Sequence, residues 1–230
     1  MKILIRLKIA LFYGFCMGTM LGAGCSSGYL ARPRNQPPPM RNTVTYQELY
    51  QQGMDLYNQA RYAEAKDAFD RVIANDSRHK EAYYYRGRSQ VELTRFELAA
   101  ADFDKCLEID DQFAPAYLGK GLLAFKQGDY NAALNHVDRS LVMDSGNAEA
   151  HYLRGMSLGY LKQVNPAIEA LQQCLAIQPE HAYAHYQIGL AYNQIDRKDM
   201  AIIHLEKFLS LAPDAPEAPQ VRQLLRFVRK

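Results

Sequence analysis

The 230-residue sequence contains no tryptophan, only four cysteines and a formal net charge of only +2. So small a charge leaves no basic footprint for nucleic acid. The apolar run Ile9–Leu21 has 13 residues, short of a comfortable membrane span. There is no phosphate-binding G-x-x-x-x-G-K, no G-x-S-x-G and no H-E-x-x-H. Two shorter matches fail in context. The S-x-x-K of Ser77–Lys80 falls in a turn, and the G-x-G-x-x-A of Gly119–Ala124 lies in a helical pattern with no strand before it. Asp110-Asp111 reads as a helix end running into a turn, not an acid/base dyad. The expectation is a protein that is not an enzyme and uses no cofactor, metal or small-molecule substrate. What is present is ordinary globular composition, 48% apolar and 23% charged, with 16 tyrosines.

The first residues are unlike the rest. Lys2, Arg6 and Lys8 precede the apolar run, and Gly22-Ala23-Gly24 lead into Cys25. A basic start, a short apolar stretch and small residues are the order of an export signal. Small residues directly before a cysteine resemble the lipobox of bacterial lipoproteins. Gly22 departs from that pattern, since Leu21 sits one place early. The resemblance implies removal of residues 1–24 and lipidation of Cys25, with a plain secretory signal or an uncleaved anchor as alternatives. Ser26 follows the cysteine. By resemblance to lipoprotein sorting, that favours the periplasmic face of the outer membrane over the inner membrane.

Residues 25–45 read as a tether. Pro37-Pro38-Pro39 favour extended polyproline II and forbid helix. Beyond it the chain repeats. Gly53, Gly87, Gly121, Gly155 and Gly189 are spaced by 34, and so are Ala65, Ala99, Ala133, Ala167 and Ala201. With Tyr46 as position 1, the glycines stand at position 8 and the alanines at position 20. Position 24 reads Phe69, Phe103, Val137, Leu171 and Leu205. Position 4 reads Leu49, Tyr83, Tyr117, His151 and His185, where tyrosine and histidine take a slot suited to tryptophan. Small residues at positions 8 and 20 let two antiparallel helices approach closely, and larger ones there would cost about 1–3 kcal/mol.

A 34-residue period in helix–turn–helix units resembles the tetratricopeptide repeat. The resemblance implies an all-α, right-handed superhelix of five repeats, 46–79, 80–113, 114–147, 148–181 and 182–215. In the third, Ala114–Gln127 and Tyr130–Met143 read as the two helices, with Pro115 in a first turn where no N–H bond is lost. Asn165-Pro166 read as the cap and first residue of a helix, and Gly159 as a weak point within one. Residues 216–230 supply a capping helix, since Val221, Leu224, Leu225 and Val228 form one apolar stripe.

Cys106 and Cys174 both occupy position 27, two repeats apart. Stacked helices place such positions on the order of 20 Å apart, too far for a disulfide, so two buried free thiols are expected. His181 and His185 stand four apart and His151 lies one repeat earlier, which allows a metal reading. Packing roles are favoured, because no thiolate or carboxylate joins them.

In tetratricopeptide arrays the first helices line the concave face, and positions 5, 9 and 12 point into it. The resemblance therefore implies a partner-binding groove. Position 5 supplies Tyr50, Tyr84, Leu118, Tyr152 and Tyr186; position 9 supplies Met54, Arg88, Leu122, Met156 and Leu190; position 12 adds Tyr57 and Phe125. Tyrosine brings contact area at low entropy cost, and methionine adapts to varied partners. Family members that grip a terminal carboxylate use charged residues where Tyr50, Met54, Pro115 and Gly119 stand here, so that docking mode is not expected. The implied function is a lipid-anchored scaffold that binds an extended or helical segment of an envelope protein. A transient chaperone or pilotin of a secretin or pilus system, and an adaptor of peptidoglycan enzymes, are the alternatives.

The charge divides unevenly. Residues 1–24 carry three positive charges, residues 26–45 carry three, and 216–230 carry four against Glu217. The repeats hold 17 positive and 24 negative side chains. An acidic array between basic ends repels nucleic acid.

Overall fold

The computed structural model describes residues 45–229. The expected export signal, Cys25, the expected tether before Thr45, and Lys230 lie outside the described residues. The described chain is all α, with no strand. Five helical hairpins follow one another. They pair α1 (Tyr46–Asn58) with α2 (Tyr62–Asn75), α3 (Lys80–Glu92) with α4 (Phe96–Ile109), and α5 (Ala114–Lys126) with α6 (Tyr130–Met143). Next come α7 (Ala148–Tyr160) with α8 (Val164–Ile177) and α9 (Ala182–Gln194) with α10 (Lys198–Leu211); α11 (Ala218–Val228) ends the array.

The turns inside the hairpins share one device. Position 15 is left-handed in every hairpin, at Ala60, Thr94, Gly128, Lys162 and Asp196, with φ between 57° and 83°. The N–H one residue later bonds back across the turn, as from Gln163 to the Leu158 carbonyl at 2.9 Å. Such a turn satisfies the last carbonyls of the first helix. The turns between hairpins place a cap at position 34. His79 and His181 accept through Nδ1 from the N–H of Ala82 and Ala184, and Asn147 accepts from Ala150. Thr45 starts the first helix in the same way, forming a reciprocal capping box with Glu48.

Three helix ends differ from the sequence reading by small amounts. The first helix of the third hairpin stops at Lys126, with Gln127 as its C-cap. Helix α8 begins at Val164 after Gln163, so Asn165 and Pro166 sit inside its first turn and do not cap it. First-turn N–H groups have no helical acceptor, so Pro166 costs nothing there. The last helix starts at Ala218, with Glu217 outside it.

Position 8 sets how closely each hairpin closes. A Cβ built on Gly53, Gly87, Gly121, Gly155 or Gly189 would stand 2.6–2.8 Å from the position-24 side chain of the same hairpin. Those side chains, Phe69, Phe103, Val137, Leu171 and Leu205, are almost wholly buried. Gly119 belongs to this logic too. A Cβ there would lie 2.5 Å from the Phe103 ring, so that ring fits between Gly87 and Gly119. The glycines of the discounted G-x-G-x-x-A pattern therefore have a packing role.

A ladder of ion pairs joins successive hairpins. Position 7 of one pairs with position 25 of the one before: Arg86 with Asp70 at 2.7 Å, Lys120 with Asp104 at 2.6 Å, and Arg154 with Asp138 at 2.7 Å. Arg86 also makes a two-armed bond to the buried Asp102 within its own hairpin. At the last junction the corresponding residues are Gln172 and the buried Ile188, and the ladder stops. Helix α11 then packs Val221 and Leu225 against Leu205 and Phe208.

Candidate functional site

The first helices lie on the inner side of the array. Each packs against the next first helix, α1 on α3, α3 on α5, α5 on α7 and α7 on α9, whereas successive second helices make no comparable contact. A stack that is closer on one side curves toward it, so the face of α1, α3, α5, α7 and α9 is the groove.

The sequence-predicted residues divide on this face. Tyr84 and Leu118 are core residues, 6% and 2% exposed. Tyr84 packs against Tyr85, Phe103 and Phe113, while Leu118 joins Val137, Ala150 and Leu153. In the central hairpins position 5 turns into the interface with the next hairpin and is lost to the groove surface. The other predicted residues are half-buried: Tyr50, Met54, Tyr57, Arg88, Leu122, Phe125, Tyr152, Met156, Tyr186 and Leu190.

At the start of the groove, rings fill the surface. Tyr50 lies 4.9 Å from His79 and 5.9 Å from Phe69, and burial pushes its hydroxyl up to about 12. Tyr57 packs edge-on against Tyr62 and Tyr85, both at 5.5 Å. Arg88 lies between aromatic faces, with its guanidinium 5.8 Å from the Tyr57 ring and 5.7 Å from the Tyr84 ring. It donates to the Tyr84 hydroxyl at 2.9 Å and pairs with Glu149 of α7 at 2.7 Å. That pair skips a hairpin, which is unusual where repeats ordinarily touch only their neighbours.

Further along, Phe125 sits edge-on to Tyr130 and Tyr160, each at 5.4 Å, and Tyr130 stacks on Tyr160 at 4.6 Å. Next to this cluster the surface opens. A cavity of about 260 Å³ lies between α7 and α9, walled by Met156, Tyr160 and Leu190 and floored by Leu171. Gly159 makes the room: a Cβ there would meet nothing within 4 Å. The sequence reading treated Gly159 only as a helix weak point. Its signal was position 12, which is apolar in the first three hairpins, at Tyr57, Val91 and Phe125, and is Gly159 and Asn193 in the last two. At the far end, Tyr152 packs on His181 at 4.7 Å and Tyr186 on Phe208 at 5.0 Å. Burial raises both hydroxyls, that of Tyr152 to about 12.

The three histidines of the metal reading have structural partners. His151 and His185 each use Nε2 to bond a carbonyl of the preceding turn, Ser145 and Pro179, both at 3.0 Å. His181 caps α9, as described above. The sequence did not reveal that His185 Nδ1 lies 3.0 Å from His204 Nδ1. Burial first, and His185 second, hold His204 down at about 4. Cys106 and Cys174 are free and buried, with burial pushing the thiols up to about 12 and about 11. Among the described residues no cluster of three His, Cys, Asp or Glu side chains is placed to hold a metal. None of the described helices is long and apolar enough to cross a membrane.

Comparison with known proteins agrees with this architecture. One model of the tetratricopeptide repeat matches residues 50–113 and 118–158, and a second matches 162–226. Among curated proteins none matches the chain by sequence. Similar solved structures include a thermophilic tetratricopeptide protein of Thermus thermophilus, 20% identical, covering 80% of this chain and 98% of that one with a TM-score of 0.68. Another is PilW, a widely conserved type IV pilus biogenesis factor, 17% identical, covering 82% and 91% with a TM-score of 0.67. A third is YrrB, a tetratricopeptide protein with an unusual peptide-binding site, 21% identical, covering 79% and 94% with a TM-score of 0.55. At these identities the likeness is one of fold, and the fold is one suited to protein–protein interaction. By its 34-residue period, its closed helical hairpins and the family models that span them, the chain belongs to the tetratricopeptide-repeat family.

Proposed function

We propose that this protein is a non-enzymatic scaffold of the bacterial envelope that binds a segment of a partner protein along the inner face of its helices. The observation that carries the reading is the half-buried apolar stretch Leu122, Met156 and Leu190 of successive hairpins, the last two of which wall an open cavity; Met54 lies beyond Arg88 at the start of the groove. Apolar surface left contiguous on a folded domain marks an interaction site. Affinity comes from covering that stretch. The likeness to PilW and to a peptide-binding relative is in keeping with capture of a protein segment.

The first 45 residues complete the reading. The signal exports the chain, Cys25 takes lipid, and the proline-rich tether holds the repeats near the membrane. Confinement to that surface raises the effective concentration of the partner without new contacts. A transient chaperone or pilotin role in pilus or secretin assembly uses the same groove. So does an adaptor role for peptidoglycan enzymes.

Two experiments test the two halves. Met156→Ser combined with Leu190→Ser should abolish partner capture while the helical circular dichroism spectrum stays intact; capture that survives moves the site off the inner face. Cys25→Ser should release the protein from washed membranes, and unchanged retention rules out the lipid anchor.

A further inference from the structure

We infer that the cavity at Gly159 is the anchor pocket of the groove. It takes one aromatic side chain of the bound segment, and Lys162 holds a carboxylate beside that ring. The inference deepens the protein-binding reading and rests on it.

The array itself shows what fits the slot. Position 12 carries Tyr57 in α1 and Phe125 in α5, and each ring lies edge-on against the position-17 ring of its own hairpin, Tyr62 or Tyr130. The fourth hairpin has Gly159 and Val164 at these two positions, so a ring-sized place is left unfilled. One wall of that place is Tyr160, already packed with Phe125 and Tyr130, so an incoming ring extends an existing aromatic cluster. Aromatic pairs in such clusters prefer offset or edge-on arrangements, which Tyr160 can offer. Met156, Leu190 and Leu171 supply apolar walls, and Gln187 and Gln194 of α9 add amide groups at the side.

Size and charge narrow the occupant. A volume of about 260 Å³ is below the ~300–1,000 Å³ of ordinary small-molecule sites, and it suits a single large side chain. Lys162 is the one ionic side chain in the lining. Elsewhere on the inner face Arg88 and Lys126 are matched by Glu149 and Glu92. Lys162 stands on a firm turn, its N–H bonded to the Gly159 carbonyl at 3.0 Å. A cation at the mouth of an apolar slot complements an acidic residue next to an aromatic one.

The test uses the full-length protein, immobilised and panned against a random phage-displayed dodecapeptide library. Recovered peptides are then synthesised and titrated by fluorescence polarisation. The expected winners share an aromatic residue adjacent to Asp or Glu. Gly159→Phe, which grows into open space, should weaken them at least tenfold without lowering the thermal midpoint. Lys162→Glu should reverse the preference toward Lys or Arg beside the ring. Winners without that pair, or binding within twofold of wild type in Gly159→Phe, overturn the inference. Self-association lost in Gly159→Phe overturns it in favour of a second copy of the chain. Peptides that tolerate Gly159→Phe but are lost with Met54→Glu leave the groove reading standing and remove only the pocket. If no winner depends on either residue, or no peptide is recovered, both fail.

Discussion

The first three hairpins and the last two are built on one repeat, yet they use it differently. In the former, ion pairs bridge each junction and aromatic rings fill position 12 at Tyr57 and Phe125. In the latter, an apolar Ile188 replaces the cation and Gly159 replaces the ring. A solenoid whose repeats touch mainly neighbours can tune each junction separately. One part of the array is filled and cross-linked by charge, and the other keeps an opening. The proposed binding site lies in the part that keeps the opening, toward α7 and α9.

The largest expected effect breaks the charged part. Arg86 holds the buried Asp102 and also Asp70, and burial pulls Asp102 upward despite that partner. Arg86→Met leaves Asp102 without its cation and should cost about 3–5 kcal/mol in urea unfolding at neutral pH. A second variant forces the ladder onto the last junction. Gln172→Asp with Ile188→Arg should destabilise by about 2 kcal/mol, because the apolar burial lost exceeds what an exposed ion pair returns. A net gain would show that the ladder, and not packing, sets junction strength.

Two glycines four residues apart on α7 give opposite signs. Gly155→Ala would press on Leu171 at 2.6 Å and on the Ala167 carbonyl at 3.1 Å, and should cost about 1–3 kcal/mol. Gly159→Ala meets nothing and should add about 1 kcal/mol through helix propensity. Equal effects at the two sites would contradict the hairpin geometry. An effect of comparable size is expected in acid. His204 is held at about 4, below the ordinary histidine value of about 6.5, so the unfolded chain binds the proton first as pH falls. Stability is therefore complete above about 6.5 and declines toward pH 4, by about 1–2 kcal/mol, since solvent reaches part of the ring. His136 and His181, lowered chiefly by burial, act in the same direction. His204→Phe should flatten part of that decline.

Hairpin order and close approach were legible because they recur. Gly53 and Phe69, or Gly155 and Leu171, stand 16 residues apart, a spacing the sequence repeats five times. The ion-pair ladder has the same spacing, but it was not read from the sequence, because the pattern holds at three junctions and fails at Ile188. What one period cannot reveal is where a repeat departs from itself. Tyr84 and Leu118 share position 5 with half-buried Tyr50, but neighbouring hairpins cover them on the far side. The pairing of Arg88 with Glu149 skips a hairpin and follows from curvature, which no single position encodes. That of His185 with His204 lies within the fifth hairpin, which alone has histidine at both position 4 and position 23. Gly159 was visible as a residue, but its cavity depends on what α9 leaves uncovered.

The most direct test of the central claim is site-specific photocrosslinking in intact cells. A benzoylphenylalanine would replace Met156 or Leu190 on the inner face, and Val142 or Ile203 on exposed second-helix positions, 86% and 57% accessible. The account predicts a discrete partner adduct from Met156 and Leu190 and none from Val142 or Ile203. An adduct formed only from the second-helix positions would contradict it.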